Sequence, residues 1–372
     1  MGAAESFHEA ARRSRSQGAA FAGLDYDRAP LLVIWESTRS CALVCKHCRA
    51  SAIMGRDPRE LGTAEGFKLL DETAAMGTPI FIVSGGDPLQ RDDLEALLAH
   101  GKSRGLRMGT IPAATERLTR ERLAALARAG VDQVAFSLDA PSAEEHDGFR
   151  GVAGSFEKVM AALGWARELG LPVQINTCFA AWNFARLDAM IELVRGLGIV
   201  FWEVFFLVPT GRGSAMDGVR PEQFEEAFAK LHALSREAGF VVKLTEAQHY
   251  RRYLLQRPPD ERPRAMGASA PAVNAGKGFL FVDFKGEVYP SGFLPVAVGD
   301  VRKTPLGEIY REAPLLKSLR APALLSGKCG ACEYRAVCAG SRARAFALTG
   351  DPLASDPACG YEPASFGKSV AK

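Results

Sequence analysis

The chain has 372 residues, 47% of them apolar and 24% charged, the mixture of a folded globular protein and not of a disordered one. With 46 Lys and Arg against 43 Asp and Glu, the net charge of +3 is too small to point to nucleic acid or to an anionic membrane surface. No apolar run approaches the roughly 18 residues of a membrane span, and Arg12, Arg13 and Arg15 are not followed by the apolar stretch of a secretory signal, so a cytoplasmic location is expected.

After a polar extension, residues 1–30, the apolar run Leu31–Trp35 reads as a buried strand. Ile80–Val83, Leu106–Thr110, Gln133–Leu138, Pro172–Cys178 and Trp202–Val208 repeat that signal. Helical periodicity fills the gaps, over Glu65–Met76, Asp92–Ser103, Glu116–Ala129, Ser155–Leu169 and Phe184–Leu197. Gly77, Gly130, Gly170 and Gly198 stand where helices end in a residue of positive φ. Strand and helix alternate six times, which predicts βαβ units and a parallel sheet. Periodicity alone does not choose between an open doubly wound sheet and a curved, incomplete barrel.

The pattern changes after Pro209. Pro221–Gly239 reads as an amphipathic helix, and His249–Arg264, with its arginines and prolines, as a solvated linker. Phe279–Phe284 and Glu287–Tyr289 flank Lys285-Gly286 as a hairpin. The expected organisation is an extension (1–30), an α/β core (31–210), a helical linking region (211–275) and a C-terminal module (276–372).

The eight cysteines fall into a group of three, a group of four and one alone. In a reducing compartment, clustered thiols point to metal before disulfides. Cys41-x3-Cys45-x2-Cys48 lies on the loop after the first strand, where α/β sheets hold ligands. Three thiolates leave a structural zinc incomplete, because such sites are closed and four-coordinate. The same three suit an iron–sulfur cube whose fourth iron stays open. A zinc reading can recruit His47, but it adjoins Cys48, so neighbouring residues would both have to face one ion.

Cys41-Ala-Leu-Val-Cys45-Lys-His-Cys48 resembles the CxxxCxxC signature of the radical SAM superfamily. Ser84-Gly85-Gly86-Asp87-Pro88, after the second strand, is similar to that family's GGE motif, with Asp87 in place of the usual Glu. The resemblance implies that this segment receives the amino group of S-adenosylmethionine (AdoMet), since glycines permit close approach and carbonyls with a carboxylate accept from an ammonium. Ser137 and Asp139 resemble the ribose-contacting position. Asn176, Leu207 and Val208 end the next strands, where the family contacts ribose, carboxylate and adenine, and His47 holds the adenine-facing position. The resemblance implies a partial (β/α)6 barrel.

Cys329-x2-Cys332-x5-Cys338-x20-Cys359 can close a site completely, on zinc or on an iron–sulfur cluster. Beside a radical SAM core it looks like a SPASM or twitch module. A full SPASM module would need cysteines near the hairpin, where Ala275 and Ser291 stand, so two 4Fe–4S clusters in all are expected. Cys178, in an apolar strand, reads as a small buried hydrophobe, with a catalytic thiol as the other possibility. Arg335, Arg342 and Arg344 read either as a solvated helix face or as holders of substrate carboxylates.

The stretch Trp35 to Ala52 resembles the tetrapyrrole-modifying branch, which includes siroheme-dependent haem synthase (iron-coproporphyrin decarboxylase) and haem d-one proteins. That resemblance implies a radical SAM oxidoreductase acting on a carboxylate-bearing tetrapyrrole, served by a low-potential flavodoxin or ferredoxin, with neither nucleic acid nor membrane as partner. Two other readings remain: a peptide-modifying maturase, and a zinc-stabilised binding protein without redox chemistry.

Overall fold

Seven parallel strands in chain order, joined at one side by an eighth from near the C-terminus, make the sheet that positions the site. The computed structural model describes residues 23–262 and 273–366, so Arg12, Arg13, Arg15 and most of the expected extension lie outside the described residues. The strands are β1 (Leu32–Glu36), β2 (Ile80–Ser84), β3 (Arg107–Thr110), β4 (Gln133–Ser137), β5 (Val173–Phe179), β6 (Phe201–Phe206), β7 (Val241–Thr245), β8 (Phe279–Val282), β9 (Glu287–Tyr289) and β10 (Gly299–Asp300). Their order is β10-β9-β8-β1-β2-β3-β4-β5-β6-β7. Every pair from β8 across to β7 is parallel, and β9 and β10 continue antiparallel. The strip is open, with β10 and β7 as its ends.

Sequence and structure agree closely in the first half. Parallel strands covered on both faces read as continuous apolar runs, and Val33, Trp35, Phe81, Val83, Val134 and Phe136 are all buried. The helices Thr63–Ala75, Leu94–Ser103, Arg120–Arg128, Ser155–Glu168 and Leu187–Gly196 alternate with the strands. Gly77, Gly130, Gly170 and Gly198 take φ of 81°, 86°, 67° and 65°, a conformation open to glycine without Cβ strain. The third helix starts at Arg120 and not at Glu116, because the Thr119 hydroxyl accepts from Arg122 N. An unforeseen helix, Ala143–Arg150, is capped in the same way by Ser142.

The region 211–275 departs from the sequence reading in two places. The helix Pro221–Glu237 forms as expected, but Val241–Thr245 then adds to β6 as a further parallel strand. In its described part, His249–Arg264 is not a solvated linker. It contains the helix Tyr250–Leu255, in which Tyr250, Arg252, Tyr253 and Leu254 are buried. Tyr250 and Tyr253 pack on Phe228, and Arg252 pairs with Glu225 and stacks on Tyr361. The hairpin at Lys285-Gly286 forms as expected, with Val282 opposite Val288. Its first strand lies beside β1, so one sheet runs from the core into the C-terminal segment.

Candidate active site

The loop after β1 alternates its faces. Cys41, Leu43 and Cys45 turn inward, whereas Ala42, Val44 and Lys46 are exposed. Each of the three sulfurs has an N–H aimed at it: Leu43 N lies 3.4 Å from Cys41 Sγ, Ala52 N 3.5 Å from Cys48 Sγ, and Arg150 Nη1 3.6 Å from Cys45 Sγ. Such donors favour the thiolate, the form that ligates metal. Burial pushes the Cys41 thiol up to about 12, so the free site is a thiol and ligation would release its proton.

Gly85 and Gly86 do something more local than the sequence suggested. A Cβ on Gly86 would stand 2.5 Å from Ser40 O, and one on Gly85 2.7 Å from Thr38 O. The bare backbone lets Gly86 N and Asp87 N donate to Thr38 and Ser40 carbonyls at 2.7 and 2.8 Å. The turn after β2 is thereby clamped onto the cysteine loop. The Asp87 side chain is fully buried and occupied: it accepts from Leu89 N, Ala113 N and Thr115 Oγ1 at 3.1, 3.2 and 2.7 Å. Burial raises its pKa. It caps the Pro88–Gln90 turn, and the structure does not bring it to the cavity wall with its neighbours.

The other sequence-derived residues do converge. Cys41, Cys45 and Cys48 line a cavity of about 240 Å³ together with His47, Ser84, Gly85 and Gly86. Ser137, Asp139, Asn176, Leu207 and Val208 line its other side. These positions lie at or just beyond the carboxyl ends of β1, β2, β4 and β6, except that Asn176, expected to end its strand, sits in the middle of β5, paired with Ser137 and Glu203. Cys178 also lines it, and burial raises its pKa, so it is a thiol at neutral pH.

Arg150 was not foreseen. Its guanidinium pairs with the Asp139 carboxylate and reaches the Cys45 sulfur. Burial alone would raise the pKa of Asp139; the Arg150 charge, the His47 and His146 rings and the Cys178 N–H together outweigh it and hold the carboxyl below the usual range. His146 Nδ1 accepts from Asp139 N at 3.2 Å, and burial pushes that ring down to about 4. His47 stacks on Phe149 at 4.5 Å and 7°; burial holds it near 4 as well, and its Nδ1 has no partner. Gly211, at φ 55°, lies over the Cys48 and Arg49 carbonyls, and Arg212 N donates to Cys48 O at 3.0 Å. No local signal marks Arg150 or Arg212 among 46 basic residues; only contact with the distant loop does.

Cys329, Cys332, Cys338 and Cys359 line a second, tighter cavity with His249, Arg252 and Asp356. Arg342 Nη2 and Asp356 N each lie 3.4 Å from Cys329 Sγ, and Gly340 N lies 3.4 Å from Cys338 Sγ. Burial pushes Cys359 up to about 11. The solvated reading holds for Arg335, which is exposed, and fails for Arg342 and Arg344, which are buried. Arg342 is fully buried and donates to the Pro352 and Ala354 carbonyls at 2.9 and 2.6 Å. Arg344 is buried against Asp356 and the Glu246 carbonyl, and Arg335 donates to Gly330 O. Ala275 and Ser291 are both buried, and Ala275 packs with Leu294, Leu319 and Ala343.

Among the described residues, no three His, Cys, Asp or Glu side chains converge as they would on a single metal ion. A cube takes its thiolates on separate irons, so its ligands stand wider apart. Sulfurs met by N–H donors beside an open cavity fit such a group at the first site, and four sulfurs around one cavity, two buried and two half-buried, fit one at the second.

Residues 35–194 match the radical SAM superfamily. The chain is 40% identical over 341 residues to the AdoMet-dependent heme synthase of Methanosarcina barkeri, covering 90% of this chain and 97% of that protein. It is 32% identical over 362 residues to the pre-heme d1 synthase of Dinoroseobacter shibae, covering 88% and 85% respectively. In fold it resembles Streptococcus suis SuiB bound to S-adenosylmethionine, with a TM-score of 0.72 at 14% identity over 90% of this chain and 78% of that one.

Proposed function

This chain belongs to the radical SAM superfamily, and from that premise we propose that it oxidatively decarboxylates propionate side chains of a tetrapyrrole. The observation that carries the substrate is the 40% identity to a heme synthase along nearly the whole of both chains. The cavity agrees in kind, with Phe205, Phe293, Ile111 and Pro112 as apolar wall beside the cysteine loop.

In the proposed arrangement Cys41, Cys45 and Cys48 hold one 4Fe–4S cluster and leave an iron open to AdoMet. With the cluster and AdoMet bound there, the site would supply one-electron radical chemistry able to take a hydrogen atom from an unactivated carbon. The chain supplies placement. The Ser84–Gly86 backbone presents carbonyls to the methionine ammonium, and Arg150 offers a fork to its carboxylate. Ser137, Asp139 and Asn176 face the ribose. Neutral His47, stacked on Phe149, faces the adenine with Leu207 and Val208. Phe205 and Phe293 exclude water from the reacting carbon.

Cys329, Cys332, Cys338 and Cys359 would hold one auxiliary 4Fe–4S cluster, the acceptor for the electron left on the substrate after hydrogen abstraction and loss of carbon dioxide. The positions where a further cluster would be ligated carry Ala275, buried among aliphatic side chains, and Ser291, buried with its hydroxyl accepting from Phe293 N. A low-potential flavodoxin or ferredoxin supplies the electron. The eight free cysteines suit the reducing cytoplasm, and no described helix is long and apolar enough to cross a membrane.

The test is anaerobic turnover of reduced, cluster-loaded enzyme with AdoMet and iron-coproporphyrin. Each propionate that becomes a vinyl group lowers the product mass by about 46, the equivalent of formic acid, in this cofactor-driven chemistry. Deoxyadenosine formed with no change in tetrapyrrole mass rejects the substrate and leaves the family untouched.

A further inference from the structure

Arg342 and Arg344, beside the second cysteine group, are buried and committed to carbonyls and to Asp356, and Arg335 there is exposed on the far cavity and not on the main one. Two arginines line the main cavity, Arg49 and Arg150. Arg150 is engaged with Asp139 and Cys45 at the end assigned to AdoMet. On the same wall the His47 ring is stacked on Phe149 and His146 Nδ1 accepts from Asp139 N.

Arg49 is built differently. Its Nη2 donates to Glu36 Oε2 at 2.5 Å, and Glu36, at the end of β1, has only 4% of its side chain exposed. Its guanidinium lies 4.4 Å from the centre of the Phe281 ring. Gly292 leaves it room: a Cβ there would stand 3.0 Å from Arg49 Nε and 3.1 Å from Phe281. The backbone beneath is held by Gly211, whose Cβ would stand 2.3 Å from Arg49 O. The plane of the fork is therefore set by an ion pair, an aromatic face and a backbone clamp. A guanidinium has five N–H donors, and among the described residues Glu36 is the one side chain that accepts from it. Phe293 and Phe205, 6.4 Å apart, line the cavity with Arg49, whereas Phe281 lies behind the guanidinium and not on the wall.

An oriented guanidinium with unused donors beside aromatic rings is complementary to a flat apolar ligand bearing a carboxylate. We propose that Arg49, aligned by Glu36 and Phe281, is a carboxylate-binding subsite for the substrate, distinct from the AdoMet end; this rests on the tetrapyrrole reading above. Arg49 follows the last cysteine of the loop directly, so a carboxylate held there brings the carbons beside it toward the place where the radical forms.

The test is equilibrium binding, which needs no turnover. Cluster-loaded protein is titrated anaerobically with iron-coproporphyrin and with its methyl ester, read by the shift of the porphyrin absorption band. The wild type should prefer the free acid by tenfold or more. Arg49→Gln should weaken the acid by about tenfold, leave the ester unchanged and so abolish the preference. Arg49→Lys, which keeps the charge but not the fork, should fall between. Iron content and circular dichroism report whether each variant is folded. Should Arg49→Gln lose its clusters, Arg49→Lys and Glu36→Gln carry the test, each with a reduced preference for the acid. A wild type that prefers the acid while folded Arg49 variants keep the same preference overturns the subsite alone. A wild type that binds neither porphyrin overturns the tetrapyrrole reading and the subsite with it.

Discussion

Arg150 Nη1 lies 3.6 Å from the sulfur of Cys45, a residue 105 positions earlier in the chain. The same guanidinium pairs with Asp139, so one side chain joins the loop proposed to carry a cluster to the strand end proposed to carry the ribose. A planar fork in that place can meet a carboxylate as a lysine cannot.

Arg150→Lys should therefore weaken AdoMet binding by tenfold or more, measured by equilibrium dialysis on the cluster-loaded protein. Arg150→Met should do worse, because it leaves Asp139 buried without its counter-charge, a loss of about 3–5 kcal/mol for a broken buried pair. Unchanged AdoMet affinity in a folded Arg150→Lys protein would remove Arg150 from the binding site.

Anaerobic reconstitution should load about eight irons and eight sulfides per chain, as two cubes require. About four would leave the second cysteine group without an iron–sulfur cluster. Cys45→Ala should abolish AdoMet cleavage along with the first cluster. Cys338→Ala should keep some uncoupled cleavage and lose product formation. Cleavage at the wild-type rate in the Cys45 variant contradicts the ligand assignment.

Gly86→Ala places a methyl group 2.5 Å from Ser40 O, in backbone and not in a movable side chain. The two loops must separate, with loss of the Gly86–Thr38 and Asp87–Ser40 hydrogen bonds. The expected result is destabilisation of several kcal/mol by overpacking, seen as a lower melting temperature and poor iron loading at the first site. A variant with wild-type melting and iron would show that the clamp is dispensable.

His146 sets a pH dependence. Burial lowers its pKa to about 4 in the fold, against about 6.5 in the unfolded chain. Between those values the unfolded chain binds the extra proton, so stability falls as pH drops from about 6.5 toward 4. At pH 5 the loss from this ring is about 2 kcal/mol. Protonation would also remove the acceptor that Asp139 N uses. Melting of metal-free protein at pH 7 and pH 5 should show less acid sensitivity in His146→Gln than in wild type; equal sensitivity in both would refute the assignment.

What the chain determined by itself was what depends on near neighbours in sequence. Cysteine spacing, the apolar runs of β1 to β6, the helices between them and the four terminal glycines are periodic or short-range features, and they were legible. So was the set of residues at the strand ends, because a parallel sheet brings its carboxyl ends to one side whatever its details. The tertiary structure decided how each polar side chain is satisfied. Asp87 is consumed by Ala113 and Thr115 on a neighbouring segment. Arg342 and Arg344, alike on paper to solvated residues, are buried, and Arg344 is held against Glu246, almost a hundred positions away. β8 joins β1 across more than two hundred residues, and β7, with Lys243 inside it and only Val242 buried, does not read as an apolar run. A buried charge must find a partner wherever the fold offers one, and that partner is set by the meeting of distant strands and loops, which no local spacing encodes.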